Sequence, residues 1–455
     1  MINFPGFKGN LYACVLSANM ASVAVGTHYS WPSPTLPKLE DPTNSWLLLT
    51  DEQGSWIGGM TALGTMFGPF LAGTLVNLVG RRWTLFIATV LSIVAWAVVF
   101  LSSLVWEIYI GRFLGGLAGG MAFLTVPMYV AEVSEPEVRG ALGSLFAFFL
   151  VGGFLIEYVF GPYVSFSALI YINFIPSILF FILFSIIPET PYYCLRKKNV
   201  SGALASLTWL RSGRSAEDVQ NELSTMQSQV NKSMSEKATI ADLVTHRGNR
   251  RGMIISCGLF FVQQFSGLNV VLFYAQNIFI MAGTSFSSSV STIIMGVILF
   301  VFRAFAAPLV RRYGMKNVLI WSAVGMTIFQ FLLGLYFYIV SNGSDMSSYG
   351  WMPILSLVGY ILCVTVGFAP IPWAVFAELF PSNVKALASS ICASFAWFIA
   401  FILTKFFNNV TTELGAHVAF FIFAFFSLLA LLFTIFVVPD TRGMTLQDIL
   451  DMLNS

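Results

Sequence analysis

Charged residues are scarce in this chain of 455 residues: they make up 10% of the sequence, and none occurs between Arg251 and Arg303. Only three histidines are present, and none has a metal-ligand neighbour in the sequence. The five cysteines are odd in number, so no disulfide framework is indicated. A GxxxxGK(S/T) phosphate loop is also missing. We therefore expect no enzyme activity, no metal site, no cofactor and no ATP-driven pumping.

The sequence is instead rich in apolar residues. Hydrophobic residues amount to 57% of the chain, compared with roughly 45 to 50% in a soluble domain. Because a lone strand cannot satisfy its backbone in lipid, we predict an all-α membrane protein with twelve transmembrane helices. The apolar stretches, each of about 20 residues or more as a bilayer requires, lie near residues 9–30, 55–76, 83–104, 108–131, 141–162, 167–187, 252–281, 287–310, 317–340, 351–377, 386–408 and 415–438.

The basic residues indicate the orientation of these helices. If both termini are cytoplasmic, all 23 Lys and Arg residues fall in cytoplasmic segments except Lys38, Arg112, Arg303 and Lys405, in agreement with the positive-inside rule. The net charge of +2 therefore reflects topology, and we expect no binding of nucleic acid. The predicted setting is the lipid bilayer of the plasma membrane, which the chain crosses many times.

Two halves of the chain repeat each other. The stretch AEVSEPEVRG at 131–140 matches AELFPSNVKA at 377–386, and PETP after the sixth span matches PDTR after the twelfth. Such repeats are typical of two pseudo-symmetric bundles that move about a ligand site near the middle of the membrane. We predict an N-terminal six-helix bundle (1–187), a cytoplasmic helical linker (188–251), a C-terminal six-helix bundle (252–438) and a short cytoplasmic tail (439–455).

Several motifs give the chain a family resemblance. GRFLGGLAGG, PMYVAEVSEPEVRG, QQFSGLN, GFAPIPWAVFAELFP and PDTRGMT are together similar to the signatures of sugar porters of the major facilitator superfamily. Within that family the chain most resembles insect facilitated trehalose and hexose transporters. The resemblance implies the major facilitator fold, a small neutral sugar as ligand, facilitated diffusion by alternating access, and a monomer.

The resemblance also implies a set of charged residues at the cytoplasmic ends of the two bundles, which pair when the cavity faces outward. An exposed ion pair typically contributes 0 to about 1 kcal/mol of stabilisation, so it can break and re-form during a transport cycle. Asn77 and Arg311 stand where the family has an acidic residue, which predicts a less firmly locked outward-facing state. The predicted gating residues are Glu132, Arg139, Glu189, Arg81 and Arg82 in the first half and Glu378, Lys385, Asp440 and Arg312 in the second.

The stretch QQFSGLN predicts where the sugar binds. Gln263, Gln264 and Asn269 offer groups that donate and accept hydrogen bonds without the cost of a buried charge. On an unbroken helix these three side chains would point in three directions. We therefore predict that the helix breaks at Ser266-Gly267 and lets the amides converge; in the resembling family these positions bind sugar.

The tenth apolar stretch supplies the other side of the predicted pocket. Pro370 and Pro372 should kink this helix, and Trp373 follows at once with an indole face suited to the C–H face of a pyranose. Phe273 completes the predicted sugar contacts. Three other contacts of the family are absent, which makes the pocket less polar: the matching residues are Ala147, Leu299 and Ala396.

His28 and Arg112 bear on whether transport is coupled to protons. In proton-coupled relatives an Asp stands in the place of His28 and faces the position of Arg112. Two cationic groups side by side should keep His28 neutral, which favours facilitated diffusion. Two alternatives stay open: a proton-coupled sugar symporter that uses His28, and a sugar sensor that binds without transporting.

Two further charges within the spans are functional candidates by default. We expect Glu157 near the outer mouth, where water hydrates it. Arg303 should lie near the inner end of the eighth helix, where its side chain can snorkel. The two are not expected to pair with each other.

Overall fold

The structure is a computed structural model that describes residues 8–43, 47–235, 240–442, 444 and 446–454. All regular structure in these residues is helical. The N-terminal bundle contains α1 (Gly9–Ser30), α2 (Pro32–Glu40), α3 (Asp51–Leu78), α4 (Arg81–Leu101), α5 (Val105–Val133), α6 (Pro136–Phe160) and α7 (Phe166–Phe184). The linker contains α8 (Pro191–Arg196), α9 (Val200–Leu210), α10 (Ala216–Ser235) and α11 (Ile240–Thr245).

The C-terminal bundle contains more helices because several of its spans are interrupted. Its helices are α12 (Arg247–Phe265), α13 (Leu268–Phe273), α14 (Ala275–Ala282), α15 (Ser288–Arg303), α16 (Ala306–Tyr313), α17 (Met315–Ser341), α18 (Met352–Val366), α19 (Ile371–Leu379), α20 (Ser382–Glu413) and α21 (Ala416–Phe436). A short 3-10 helix, Ser347–Tyr349, precedes α18, and α22 (Leu446–Asn454) follows the bundle.

Each of the twelve predicted spans has a helical counterpart. Nine segments of the described chain are long and apolar enough to cross a membrane, or ten if α15 and α16, which meet at 47°, form one span. The two others are α1, which buries polar residues such as Asn19 and Thr27 inside its bundle, and the seventh span, which is divided into α12, α13 and α14. The all-helical membrane fold is confirmed.

Close backbone contact joins α3 to α5 in the N-terminal bundle. A Cβ atom at Gly116 would lie 2.0 Å from Thr61 O, and one at Gly64 would lie 2.1 Å from Phe113 O. Small residues permit such approach between membrane helices, where packing rather than hydrophobic exclusion drives association. Arg112, on α5, is buried inside this bundle.

The linker is tied to the N-terminal bundle by an ion-pair network around the buried Glu135. Lys8 pairs with its carboxylate, Arg214 Nη2 lies 2.7 Å from Oε1, and Arg211 Nε lies 3.5 Å from Oε1. Arg211 also pairs with Glu222 of α10 at 2.7 Å. The last linker helix, α11, instead packs against α12 and α20. We call the side where α8–α11 and α22 lie the linker face, and the side of α2 and residues 47–50 the distal face.

The two bundles meet at the distal face. α3 lies along α20, and α2 lies against α14. Among the hydrogen bonds that cross this interface, the Gln276 backbone amide donates to Ser33 Oγ at 3.1 Å, and Tyr158 Oη donates to Leu272 O at 2.6 Å. The structure is therefore in a conformation that is closed at the distal face.

Candidate functional site

The seventh span breaks where the sequence predicts. α12 ends at Phe265, and α13 begins at Leu268 after Gly267, whose φ of +83° lies in the left-handed region. Glycine adopts this conformation without steric cost. A Cβ atom here would also lie 2.7 Å from the Phe423 ring. Both the backbone conformation and the space require glycine at the break.

Two side chains behind the break accommodate its freed backbone. Ser266 O no longer has a helical partner, and it accepts hydrogen bonds from Tyr360 Oη at 2.9 Å and from Gln330 Nε2 at 3.1 Å. Tyr360 lies on α18 and Gln330 on α17, and both are buried. A buried carbonyl without a partner is costly. We call Tyr360, Gln330 and the Ser266 carbonyl the break clasp, a feature that the sequence analysis missed.

The predicted amides converge at the break. Asn269 Nδ2 donates to Gln264 Oε1 at 2.6 Å, and Gln264 Nε2 lies 3.5 Å from Gln263 Oε1. Gln263 Nε2 in turn donates to the carbonyls of Phe368 and Ala369. The three side chains are at most 9% exposed. They form a row of carboxamides that connects the seventh span to the tenth.

The tenth span is interrupted as its prolines predict. α18 ends at Val366 and α19 begins at Ile371, so the carbonyls that receive Gln263 belong to an irregular turn. Trp373 is partly exposed, with its ring 4.4 Å from that of Phe260 and 5.0 Å from that of Phe123. Because Phe123 belongs to the N-terminal bundle, Trp373 lies where the two bundles face each other.

Phe273 does not line open space in this conformation. It has no exposed surface, and its ring lies 5.9 Å from that of Tyr29. Tyr29 also contacts Trp397 at 4.9 Å, and Trp397 contacts Phe123 at 6.2 Å. These aromatic residues form a plug between the bundles on the distal side of the amides. No local sequence signal marks Tyr29 or Trp397 as part of this plug.

A polar latch reinforces the distal closure. Lys405 Nζ of α20 lies 2.8 Å from Glu52 Oε1 and 2.8 Å from Ser55 Oγ, both on α3. The ammonium also lies 4.8 Å from the Trp56 ring centroid, and Lys405 is buried while Glu52 is exposed. We call Lys405, Glu52 and Ser55 the distal latch. It joins residues 350 and 353 positions apart, so no local sequence pattern indicates a role for Lys405.

Four predicted gating residues of the first half, Arg81, Arg82, Glu132 and Glu189, contact one another. Arg81 Nη2 pairs with Glu132 Oε1 at 2.6 Å, while the amides of Arg81 and Arg82 donate to the Glu189 carboxylate at 3.2 and 3.0 Å. Burial raises the pKa of Glu189, and the hydrogen bonds from the backbone amides of Thr190 and Arg82 oppose the shift. Arg82 Nη2 donates to Ser185 O and Arg139 Nη2 to Ser134 O. All of these contacts stay within the N-terminal half.

In the described part of the chain, the gating residues of the second half likewise have their contacts within their own half. Lys385 Nζ donates to Ala377 O at 2.6 Å, close to Glu378, and the Arg442 amide donates to Asp440 at 3.2 Å. Arg312 lies over the Tyr313 ring at 5.3 Å. Among the described residues, no ion pair joins the two sets. The linker face is therefore unclamped while the distal face is closed.

His28 and Arg112 lie inside the N-terminal bundle. His28 Nε2 is 2.9 Å from Ser92 Oγ, and its ring stacks on Trp96 at 4.2 Å. Arg112 lies over the Trp31 ring at 4.9 Å and is close enough to act electrostatically on His28. No hydrogen-bond partner for the Arg112 guanidinium occurs in the described part of the chain.

The expectation of a hydrated Glu157 is wrong. This residue is fully buried, and neither carboxylate oxygen has a hydrogen-bond partner among the described residues. It faces Arg112, Asn173 and Lys38. Arg303 is distant from this cluster and donates weakly to Thr365 O at 3.4 Å. The position of Glu157 near the distal end of α6 does not expose it to water, because α2 covers this end of α6.

Comparisons with known proteins point to one family. A family model described as "Sugar (and other) transporter" matches residues 10–453. The facilitated trehalose transporters of Anopheles gambiae and Polypedilum vanderplanki are each 36% identical to the chain, over 95% and 96% of its length. The facilitated trehalose transporter of Drosophila yakuba is 38% identical over 98%. The chain spans 55% of the Anopheles protein, 52% of the Drosophila protein and 88% of the Polypedilum protein.

Solved structures show the same fold. The xylose transporter XylE from E. coli in an inward open conformation superposes with a TM-score of 0.79 at 23% identity, covering 97% of this chain and 99% of that chain. A partially occluded inward open form of XylE gives 0.79 at 25% identity, covering 96% and 99%. The helical arrangement described above is therefore that of a known transporter fold.

Proposed function

This chain belongs to the sugar (and other) transporter family, and we propose that it moves a small neutral sugar, glucose- or trehalose-like, across a membrane by facilitated diffusion. The observation that carries the proposal is the row of Gln263, Gln264 and Asn269 at a broken helix between two bundles. Carboxamides match hydroxyl groups because they donate and accept together. A charged ligand would find no charged side chain in this segment.

The proposed cycle alternates access between the two faces. In the present conformation, the distal latch and the aromatic plug hold the distal face closed. In the opposite conformation, we propose that Glu132, Arg139 and Glu189 pair with Glu378, Lys385 and Asp440 and close the linker face. The ligand site lies between the two closures, as alternating access requires.

The proposed orientation places the linker face in the cytoplasm, with both termini on that side and the protein in the plasma membrane. Basic residues on the linker support this orientation through the positive-inside rule. We also retain the predicted bounds of the bundles and linker, residues 1–187, 188–251 and 252–438, and a monomer as proposals.

Proton coupling is the second candidate function. It is favoured by Glu157 and Arg112, two buried ionisable groups that lack hydrogen-bond partners in the described residues. Facilitated diffusion remains the first candidate because His28, at the position of the symporters' Asp, is bonded to Ser92 and stacked on Trp96. That arrangement gives the His28 ring two neutral partners.

Purified protein in liposomes tests both candidates. Labelled trehalose and glucose should enter by counterflow when the same unlabelled sugar is inside, and an imposed pH gradient should not drive accumulation above equilibrium. Accumulation that is lost in Glu157→Gln would replace facilitation with proton coupling. Binding of sugar without counterflow would contradict transport and indicate a sensor.

A further inference from the structure

Three sulfur atoms meet in the C-terminal bundle. Cys257 Sγ of α12 lies 3.8 Å from Cys392 Sγ of α20, and Cys392 Sγ lies 3.9 Å from Met253 Sδ, which is one turn before Cys257 on α12. All three side chains belong to helices whose other residues serve the transport pathway. Both cysteines are free thiols, with Cys392 fully buried and Cys257 partly exposed.

The spacing of these atoms suits a single metal ion. A metal–sulfur bond of about 2.3 Å places three sulfurs around one ion about 4.0 Å apart in a trigonal plane. The two measured separations, 3.8 and 3.9 Å, already have this value. Cys392 Sγ therefore already lies at the required separation from each of the two sulfurs on α12.

The donor set selects the kind of ion. Thiolate and thioether ligands are soft and favour monovalent copper over hard cations. The described chain has no cluster of three or more His, Cys, Asp or Glu residues that could hold a metal, so no nitrogen or oxygen donor completes a zinc-like site here. Loss of one thiol proton balances the charge of a monovalent ion, and the resulting complex is neutral.

We propose that Cys257, Cys392 and Met253 form a binding site for a soft monovalent cation, Cu(I) or Ag(I). The sequence predicts no metal site because the two cysteines are 135 residues apart. Cys257 and Gln264 are seven residues apart on α12, so they share a face within about 20° and lie about 10 Å apart. An ion bound at this sulfur site joins α12 to α20 close to the row of carboxamides, and it should inhibit sugar uptake.

Metal binding can be measured without any transport assay. Detergent-purified protein in anaerobic, reducing buffer is titrated with Cu(I) against a chromophoric Cu(I) chelator. Wild-type protein should bind one ion at this site. Because loss of a supporting partner alone typically weakens metal binding 10–100-fold, Cys257→Ser and Cys392→Ser, which remove direct ligands, should weaken it at least about 100-fold.

Two further variants separate a lost ligand from misfolding. Met253→Leu conserves volume and should weaken Cu(I) binding less than the cysteine variants, while Cys363→Ser on α18 should leave it unchanged. Monodisperse size-exclusion profiles verify folding. Equal Cu(I) binding by wild-type protein and the Cys257→Ser/Cys392→Ser double variant would overturn the proposal, as would a Cys257–Cys392 disulfide with no Cu(I) binding. Neither result bears on sugar transport itself.

Discussion

The carboxamides at the break keep unused hydrogen-bonding capacity. Each Asn or Gln side chain has two N–H donors and an oxygen that accepts twice. Gln264 uses one acceptor for Asn269, and Gln263 directs its nitrogen to the tenth span. The remaining donors and acceptors are free to meet sugar hydroxyls without breaking the row. At the scale of single residues, the row is both a structural brace and a recognition surface.

Removing the two glutamines should nearly abolish transport. We expect Gln263→Ala/Gln264→Ala to reduce uptake of labelled sugar at least about tenfold, because each lost hydrogen bond costs about 0.5–1.5 kcal/mol and leaves partners unsatisfied. Uptake per unit of surface protein is the measurement. Gln227→Ala on the linker helix α10, outside both bundles, is the matched control. Residual transport above about half of wild type would mean that the site lies elsewhere.

Glu40 makes the distal closure sensitive to pH. Burial and the nearby Asp51 raise the pKa of Glu40 from 4.5 to about 7, while Asn277 Nδ2, 3.4 Å from Oε2, opposes the shift. Glu40 lies on α2 and contacts Asn277 on α14, so α14 contributes to its burial when the bundles meet. We therefore expect a proton to bind more tightly to the distal-closed conformation.

Lowering the pH should favour distal closure. The stabilisation is fully present below the ordinary pKa of 4.5 and is lost as the pH rises through about 7. We expect the ratio of closed to open molecules to rise up to about tenfold per pH unit between roughly 6.5 and 5. Spin labels at the exposed Leu48 and Leu414 report the distance between the bundles. In Glu40→Gln this pH response should disappear; an unchanged response would assign it to another group.

At the scale of helices, the break in the seventh span depends on its neighbours. Gly267 permits the turn, but the Ser266 carbonyl is held by Tyr360 and Gln330 from α18 and α17. The orientation of Gln263 and Asn269 on either side depends on that turn. The break clasp therefore positions groups that it does not contact directly.

Loss of the break clasp should weaken sugar binding. We expect Tyr360→Phe and Gln330→Leu each to raise the KM for sugar several-fold, because a buried carbonyl loses a partner at a cost of about 1–3 kcal/mol. Tyr336→Phe is the matched control: its phenol also donates to a carbonyl, Ala282 O at 2.9 Å, away from the break. A similar change in KM in all three variants would point to general destabilisation.

The sequence predicts where helices are interrupted better than it predicts which side chains bond to the interrupted backbone. Ser266-Gly267 and the Pro370/Pro372 pair mark their breaks because glycine and proline act on the local backbone. Tyr360 and Gln330 escape prediction because they reach the break from 94 and 64 residues away. The burial of Phe273 could not be predicted either, since it depends on which face of the transporter is closed. Breaks that depend on local residues can be predicted from one sequence, whereas contacts that depend on the conformation of the transporter cannot.

For the whole molecule, the linker face and the distal face differ in the contacts available to close them. The linker face has many charged residues, and in the described part of the chain their ion pairs stay within each half. At the distal face the ion pair of Lys405 with Glu52 is accompanied by aromatic contacts and neutral hydrogen bonds. The balance between the two ends should determine the resting conformation.

Breaking the distal latch should shift that balance. We expect Lys405→Met to increase the distal-open population about fivefold, the equivalent of about 1 kcal/mol for a partly exposed ion pair. The Leu48–Leu414 label distance is again the measurement. Lys38→Met is the control, since Lys38 donates to two carbonyls of its own bundle, Gly161 O and Val164 O.

A charge exchange gives the sharper test of the distal latch. Glu52→Lys combined with Lys405→Glu should restore the closed distance distribution if the attraction between the two groups matters. If the double variant stays as open as Lys405→Met, the packing of Lys405 against Trp56 is the stabilising contact and the ion pair is not.

The ion-pair network around Glu135 has a consequence for how the chain is made. Its partners Lys8, Arg211, Arg214 and Glu222 all precede the seventh span. During translation, the first six spans and three linker helices can therefore assemble and neutralise these charges before the seventh span has left the ribosome. The second half then inserts beside a finished first half, in keeping with the tendency of domains to fold as units in order of synthesis.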